Sequence, residues 1–209
     1  MRFTIAIDGP AAAGKGTIAK EISQELSLPH LDTGLLYRIT AARVADGQEP
    51  VDAAQSIELQ DFSRTDLRTP AISQEASRVS AIAEVRQALT AFQKDFAQRD
   101  GGAVLDGRDI GTSISPDADL KIFLTASPEA RAQRRHAELA AQGFEDSFEE
   151  VLKEMRIRDE RDSTRDVQPM RPAADAIIID TSEITADEAV QIALEHAYRV
   201  RGALFRNAA

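Results

Sequence analysis

The stretch that most constrains the fold lies at the start of the chain. Arg2-Phe-Thr-Ile-Ala-Ile-Asp8 runs into Gly9-Pro-Ala-Ala-Ala-Gly14-Lys15-Gly16-Thr17. Phe3, Ile5, Ala6 and Ile7 are apolar and β-prone, as a buried parallel strand requires. Ile18, Ile22 and Leu26 then recur every four residues, the spacing of a helix buried on one side. A glycine-rich loop between such a strand and such a helix suits a phosphate. Gly9, Gly14 and Gly16 tolerate positive φ and carry no Cβ, so consecutive backbone N–H groups can converge on one anion. The helix beginning near Lys15 adds unpaired donors and the positive end of its dipole. Lys15 brings a mobile charge for β- and γ-phosphates, and Thr17 a hydroxyl for Mg²⁺, one position later than the usual pattern. With Pro10, Ala11, Ala12 and Ala13, residues 9–17 form a candidate ATP-binding loop. The competing reading is an ordinary strand–helix turn with a solvated lysine. Agreement of glycine spacing, lysine, threonine and flanking elements favours the phosphate loop.

The 209 residues suffice for one α/β domain with its own core. There is no cysteine, which excludes disulfides and thiolate metal sites. A formal charge of −10 speaks against general nucleic-acid binding, which needs a net basic face. No apolar run is long enough to span a membrane, and the chain enters a strand at once, so the expectation is a soluble, cytoplasmic protein; a monomer is also expected, although the sequence does not give the oligomeric state. His30, His136 and His196 lie too far apart for metal-ligand spacing and read as surface or half-buried residues.

Further along, a short strand is expected near His30–Leu31, a turn at Thr33-Gly34 and a helix from Leu35 to about Ala45. Residues 48–66 read as an irregular or small inserted segment. Thr69-Pro70 opens a helix carrying Ser77 and Val79, and the next carries Val85, Leu89 and Phe92. Ala103–Asp106, Leu120–Thr125 and Ala176–Asp180 read as buried strands. Ser127-Pro128 starts a helix that ends at Gly143, and Ser147-Phe-Glu-Glu150 is a capping box before another with Phe148, Val151, Leu152 and Met155 as its stripe. Thr185 caps the last helix, which lays Ala189, Ile192, Ala193 and Ala197 along one side. Five strands alternating with helices imply an α/β fold, a five-stranded parallel sheet with helices on both faces. Ligands sit beyond the carboxyl ends of such strands, which gathers Asp8–Thr17, Asp32–Arg38 and Asp106–Asp109 at one rim.

Two further groups of residues carry chemistry. Asp106-Gly107-Arg108-Asp109 sets two carboxylates and an arginine at a strand end. Asp106 is a candidate Mg²⁺ residue beside Thr17. Arg108 can grip a phosphate with two N–H groups, and Asp109 can accept from an amino group or hold an arginine. The alternative is an Asp–Arg pair that merely fixes a loop. The second group comprises Arg131, Arg134 and Arg135 on helix 128–142, with Arg156, Arg158, Arg161 and Arg165 on or after the next helix. It reads either as a solvated salt-bridge face, interleaved by Glu154, Asp159, Glu160 and Asp162, or as a mobile lid. A lid would bring Arg131 and Arg161 over a triphosphate to join Lys15 and Arg108 in neutralising the transferring group. Mutual repulsion of its arginines would keep it moving.

The motifs at 9–17, Asp-Thr-Gly-Leu-Leu-Tyr-Arg at 32–38, Asp-Gly-Arg-Asp-Ile-Gly-Thr at 106–112 and Arg-Asp-Glu-Arg-Asp-Ser-Thr-Arg at 158–165 resemble those of bacterial cytidylate kinases, over nearly the whole chain. Adenylate kinases share only the first. The resemblance implies one P-loop kinase domain: a core of residues 1–38, 100–127 and 172–209, an acceptor-binding segment at about 39–99 and a lid at about 128–171. It implies phosphoryl transfer from ATP with Mg²⁺ to CMP and dCMP. By position, Arg38, Arg108 and Arg165 correspond to acceptor-phosphate residues, Ser77, Arg86 and Asp109 to cytosine readers, and Arg158 and Asp162 to ribose contacts. Thr33 stands in the CMP-binding turn where some members have serine, with the hydroxyl kept. Residues 48–66 are shorter than the insert of many bacterial members, so its small sheet is expected to be reduced or absent. A kinase for UMP, AMP or a metabolite such as shikimate would keep the phosphate loop without needing Ser77, Arg86 and Asp109 together. A non-catalytic nucleotide switch is the remaining alternative, although no Asn-Lys-x-Asp guanine-reading sequence is present.

Overall fold

The first strand, β1 (Ile5–Asp8), is buried throughout and occupies the centre of the sheet. Its alternation assigns the two faces. Ile5 and Ile7 pack with Ile18 and Ile22 of α1 (Lys15–Leu26) and with Ala189, Ala193 and Ala197 of α8 (Ala186–Asn207). Ala6 faces the other way, toward Ala97 of α5 (Ala83–Ala97) and toward Ile110 and Ile114. The computed structural model describes residues 2–207.

Strand order is β2-β3-β1-β4-β5, with β2 (His30–Asp32), β3 (Val104–Gly107), β4 (Leu120–Thr125) and β5 (Ile177–Asp180). Every pairing is parallel. The α/β fold with helices on both faces is as expected. The register sets Asp8 opposite Gly107 and Asp32 opposite Asp106, so three carboxylates share the carboxyl rim.

Three expectations change in detail. β5 is an edge strand rather than a buried one: Ile178 is 54% exposed, because among the described residues none covers that face. On α5 the 85–89 spacing continues to Gln93, which is buried with its amide donating to the Leu89 carbonyl. Phe92 is displaced from the stripe and half exposed beside Phe96. Finally, α2 (Thr33–Ala45) begins at Thr33, so the Thr33-Gly34 turn is its first turn.

The segment after α2 holds α3 (Pro50–Gln55) and a 3₁₀ turn over Leu59–Ser63, and no strand is found there among the described residues. Arg43 anchors it by donating to Asp61 at 2.8 Å. Helix α4 (Pro70–Val79) is capped by the Thr69 hydroxyl and packs on α2 through Ile72, Ala76 and Val79. Helices α6 (Pro128–Ala141) and α7 (Phe148–Thr164) are capped by Ser127 and Ser147 as read from the sequence. Ala132, Leu139, Val151 and Met155 pack between them and against Ala11 and Ala12 of the glycine-rich loop.

Candidate active site

The glycines of the loop do different jobs. Gly9 has φ +143° and sits so close to β4 that a Cβ would lie 2.1 Å from the Leu124 carbonyl oxygen. Gly14, at φ +94°, turns the chain into α1. Gly16 has no positive φ and lies in the first turn of α1, while Ala12 takes the left-handed conformation at φ +58°. The expectation that all three glycines share one conformational role is thereby corrected. Lys15 is buried, with Nζ donating to the Pro10 carbonyl at 2.7 Å. Burial, then the neighbouring Arg108, push its ammonium down to about 7.

Lys15 opens onto a cleft of about 1340 Å³. Gly14, Gly16 and Thr17 line it together with Arg38, Ser77, Arg108, Arg158 and Arg161. Gly9, Pro10 and Ala13 lie beneath the loop and do not line it. On the floor, Asp106 is hydrogen bonded to His30 Nε2 at 2.7 Å, while its backbone carbonyl accepts from the Thr33 hydroxyl at 2.8 Å. Beside it, burial and the Asp106 charge push the Asp32 carboxyl upward. Among the described residues no group of three or more metal-binding side chains is present. Adjacent carboxylates with a Thr17 hydroxyl suit a hard cation that keeps phosphate oxygens and water as its remaining ligands, and do not form an all-protein cage.

The arginines form two groups. Arg38, Arg108 and Arg158 crowd the same region as Lys15. Burial lowers Arg38 to about 10 and Arg158 to about 9, and neighbouring guanidinium groups add to both. Arg38 donates to the Leu67 carbonyl and the Ser73 hydroxyl. Arg108 donates to Asp162 at 2.9 Å, and Arg158 lies 3.9 Å from the same carboxylate. Burial works against ionising Asp162, yet Arg108 and Arg158 hold it below the usual carboxylate range.

The second group centres on Asp109, whose Oδ1 accepts from Arg86 at 2.7 Å and from Arg165 at 3.1 Å. Its Oδ2 is buried and has no protein partner. Arg86 also lies 5.5 Å from the Tyr37 ring centre. Arg86, Asp109, Asp162 and Arg165 are not among the residues that line this cleft. Arg161 reaches from α7 to the Ser77 hydroxyl on α4 at 2.8 Å. Arg131 is buried, donating to Ala126 and Ala11 carbonyls and, at 2.6 Å, to Asp159. These pairings replace the repulsion inferred from sequence: Asp109, Asp159 and Asp162 interleave Arg165, Arg131, Arg108 and Arg158.

Several site residues escaped the sequence reading. Asp8 accepts from the backbone of Ile110 and Gly111 at 2.7 and 2.8 Å, tying the phosphate loop to the Asp106–Asp109 loop. Burial pushes its carboxyl up to about 6. Its place at the strand end was visible, but its partners lie about a hundred residues away. Asp32 was legible as part of the rim and of the 32–38 motif, whereas the pairing of His30 with Asp106 and the contacts of Gln168 carried no local signal.

The parallel sheet, the glycine loop entering α1 and the arginine-lined cleft define a P-loop kinase. Two solved kinases share the fold: a gluconokinase from Sinorhizobium meliloti 1021 (TM-score 0.54, 16% identity, all of both chains) and a shikimate kinase from Bacteroides thetaiotaomicron (TM-score 0.53, 16% identity, 92% of this chain and 97% of that one). Residues 5–199 match the cytidylate kinase family. Cytidylate kinase of Cereibacter sphaeroides (strain KD131) is 56% identical over 93% of this chain and 95% of its own length. That of Granulibacter bethesdensis is 51% identical over 91% and 94%. The chain belongs to the cytidylate kinase family and is a kinase.

Proposed function

We propose that the protein transfers the γ-phosphoryl group of ATP to CMP and dCMP, giving CDP and dCDP, as a cytoplasmic monomer. The observation that carries this reading is one cleft lined both by the phosphate loop and by the arginines of three separate segments. Residues 9–17 hold the donor phosphates, with Lys15 at the β- and γ-oxygens. Entry of a polyanion returns its proton and charge. Thr17 and Asp106 are the residues to hold Mg²⁺, which supplies charge neutralisation when bound.

Arg38, Arg108 and Arg165 grip the acceptor phosphate. Arg165 keeps Nη1 for this purpose, since its bonds to Asp109 and Gln168 use Nη2 and Nε. Asp109 Oδ2 and the Ser77 hydroxyl take the amino group of cytosine, Arg86 faces its acceptors, and Arg158 and Asp162 contact the ribose. Lys15, Arg108, Arg131 and Arg161 stabilise charge on the transferring group. No general base is needed, because a phosphate monoester is already ionised near neutral pH. Residues 39–99 form the acceptor-binding segment and 128–171 a lid that excludes water. ADP release from ATP is to be measured with CMP, dCMP, UMP, AMP and GMP. CMP and dCMP should be used best, and preference for UMP or AMP would overturn the assignment.

A further inference from the structure

Gln168 follows α7 in a left-handed conformation, φ +53°, which a side chain with Cβ adopts only when its surroundings hold it there. What holds it is a ring of hydrogen bonds. Its Oε1 accepts from Arg86 Nε at 2.7 Å, and its backbone carbonyl accepts from Arg165 Nε at 2.8 Å. Both arginines then use Nη2 on one oxygen, Asp109 Oδ1. The ring therefore joins α5, the loop after β3 and the end of α7 through one residue.

The choice of nitrogens matters. An arginine closing on a carboxylate favours a side-on fork, with Nε and Nη2 reaching both oxygens. Gln168 occupies Nε of both arginines, so each presents only Nη2 to Asp109. Two cations thus share one oxygen, and Asp109 Oδ2 remains buried without a protein partner. Without the Gln168 acceptor, Arg86 can rotate its fork onto both oxygens and satisfy its buried Nε there. The second carboxylate oxygen would then be occupied by the protein itself.

We propose that Gln168 is a positioning residue for acceptor-base selection: it splits the arginine forks so that one oxygen of Asp109 stays available to the amino group of the base. The proposal rests on the reading of Asp109 as a base-contacting residue, and its test separates the two. Gln168→Met keeps the length and removes the acceptor, while Gln168→Glu keeps an acceptor for Arg86 Nε. For Q168M we expect KM for CMP to rise about 3- to 10-fold, the effect of weakening rather than removing one hydrogen bond to a charged group. KM for ATP, the melting temperature and UMP use should change little, so the CMP-to-UMP ratio of kcat/KM narrows by the same factor. Q168E should restore most of the CMP KM. Equal effects on CMP and UMP, or no change in either, would overturn the role. Should Q168M fold poorly, Gln168→Asn, whose shorter amide cannot reach Arg86, gives the same comparison. Asp109→Ala run in parallel distinguishes the failures. If D109A leaves the ratio intact, the base reading and the proposal fall together. If D109A collapses it and Q168M does not, only the proposal falls.

Discussion

Two regions of the cleft, proposed above as its donor end and its acceptor end, are built by different means. The donor end is one continuous segment, Asp8–Thr17, clamped between the central strand and the first helix. Its proposed anion site would be made from backbone N–H groups, and its backing is apolar: Ile5, Ile7, Ile18 and Ile22 are essentially fully buried. The acceptor end draws on α2, α4, α5, the loop after β3 and α7. Here α2, α4 and α5 pack on one another through apolar clusters, while the loop after β3 and α7 join them through arginine–carboxylate and arginine–hydroxyl contacts, namely Arg86–Asp109, Arg108–Asp162 and Arg161–Ser77. The proposed lid has an apolar footing where α6 and α7 rest on Ala11 and Ala12. A backbone site held by a core is rigid and cannot be retuned by one side chain. An ionic site can exchange its internal partners for those of a nucleotide, because much of the desolvation cost is already met in folding.

That contrast can be broken most sharply at the donor end. Lys15→Ala should cost a factor of about 10³ in kcat, the size seen when one preorganised donor to a developing charge is removed, while circular dichroism stays native. Turnover within about threefold of wild type would mean the loop does not hold the transferring group. At the acceptor end, Asp109→Ala should narrow the CMP-to-UMP ratio of kcat/KM by about 10- to 100-fold, since a carboxylate opposite uracil faces a carbonyl rather than an amino group. A uniform loss on both nucleotides would return Asp109 to the role of a loop fastener.

A smaller effect tests whether ion pairs are what join α7, in the proposed lid, to the proposed acceptor segment. Asp162→Asn removes the counter-charge of Arg108 and Arg158, whose side chains are about one-fifth exposed. Loss of about 1–3 kcal/mol of stability is expected, below the figure for fully buried pairs, with faster amide exchange across α7. Unaltered exchange there would place the attachment in the apolar footing instead. The smallest effect is protonic. Lys15 sits near 7 before a polyphosphate arrives, and an adjacent anion raises that value. Binding of ATP should therefore take up close to one proton at pH 8 and almost none at pH 5.5, and affinity should weaken as pH rises above about 7. Calorimetry in two buffers of different ionisation enthalpy reads this directly. Equal uptake by Lys15→Met would assign the proton elsewhere.

The arginine-rich region shows why legibility differed between the ends. Its helices and caps at Ser127 and Ser147 follow from local patterns, since the capping hydroxyls bond only three residues ahead. The partners of its arginines do not. Asp109 lies 56 residues from Arg165 and 23 from Arg86, and no spacing rule connects them. The family motifs singled out those residues without saying which pairs with which. Gln168, whose amide and carbonyl hold both arginines, has no motif at all.

By itself, then, the sequence determined whatever depends on neighbours: a buried strand, a glycine loop, a lysine at a helix start, the periodic stripes and caps of the helices, and through alternation the parallel sheet. These features arise from forces acting over a few residues, so spacing encodes them. Tertiary structure alone decided the rest. It set Gly9 against the Leu124 carbonyl, gave Asp8 the backbone of residues 110–111 to hold, put His30 on Asp106 and left one oxygen of Asp109 unpaired. Each depends on strand register and helix placement bringing distant side chains within about 3 Å, the short range over which a hydrogen bond or close contact acts.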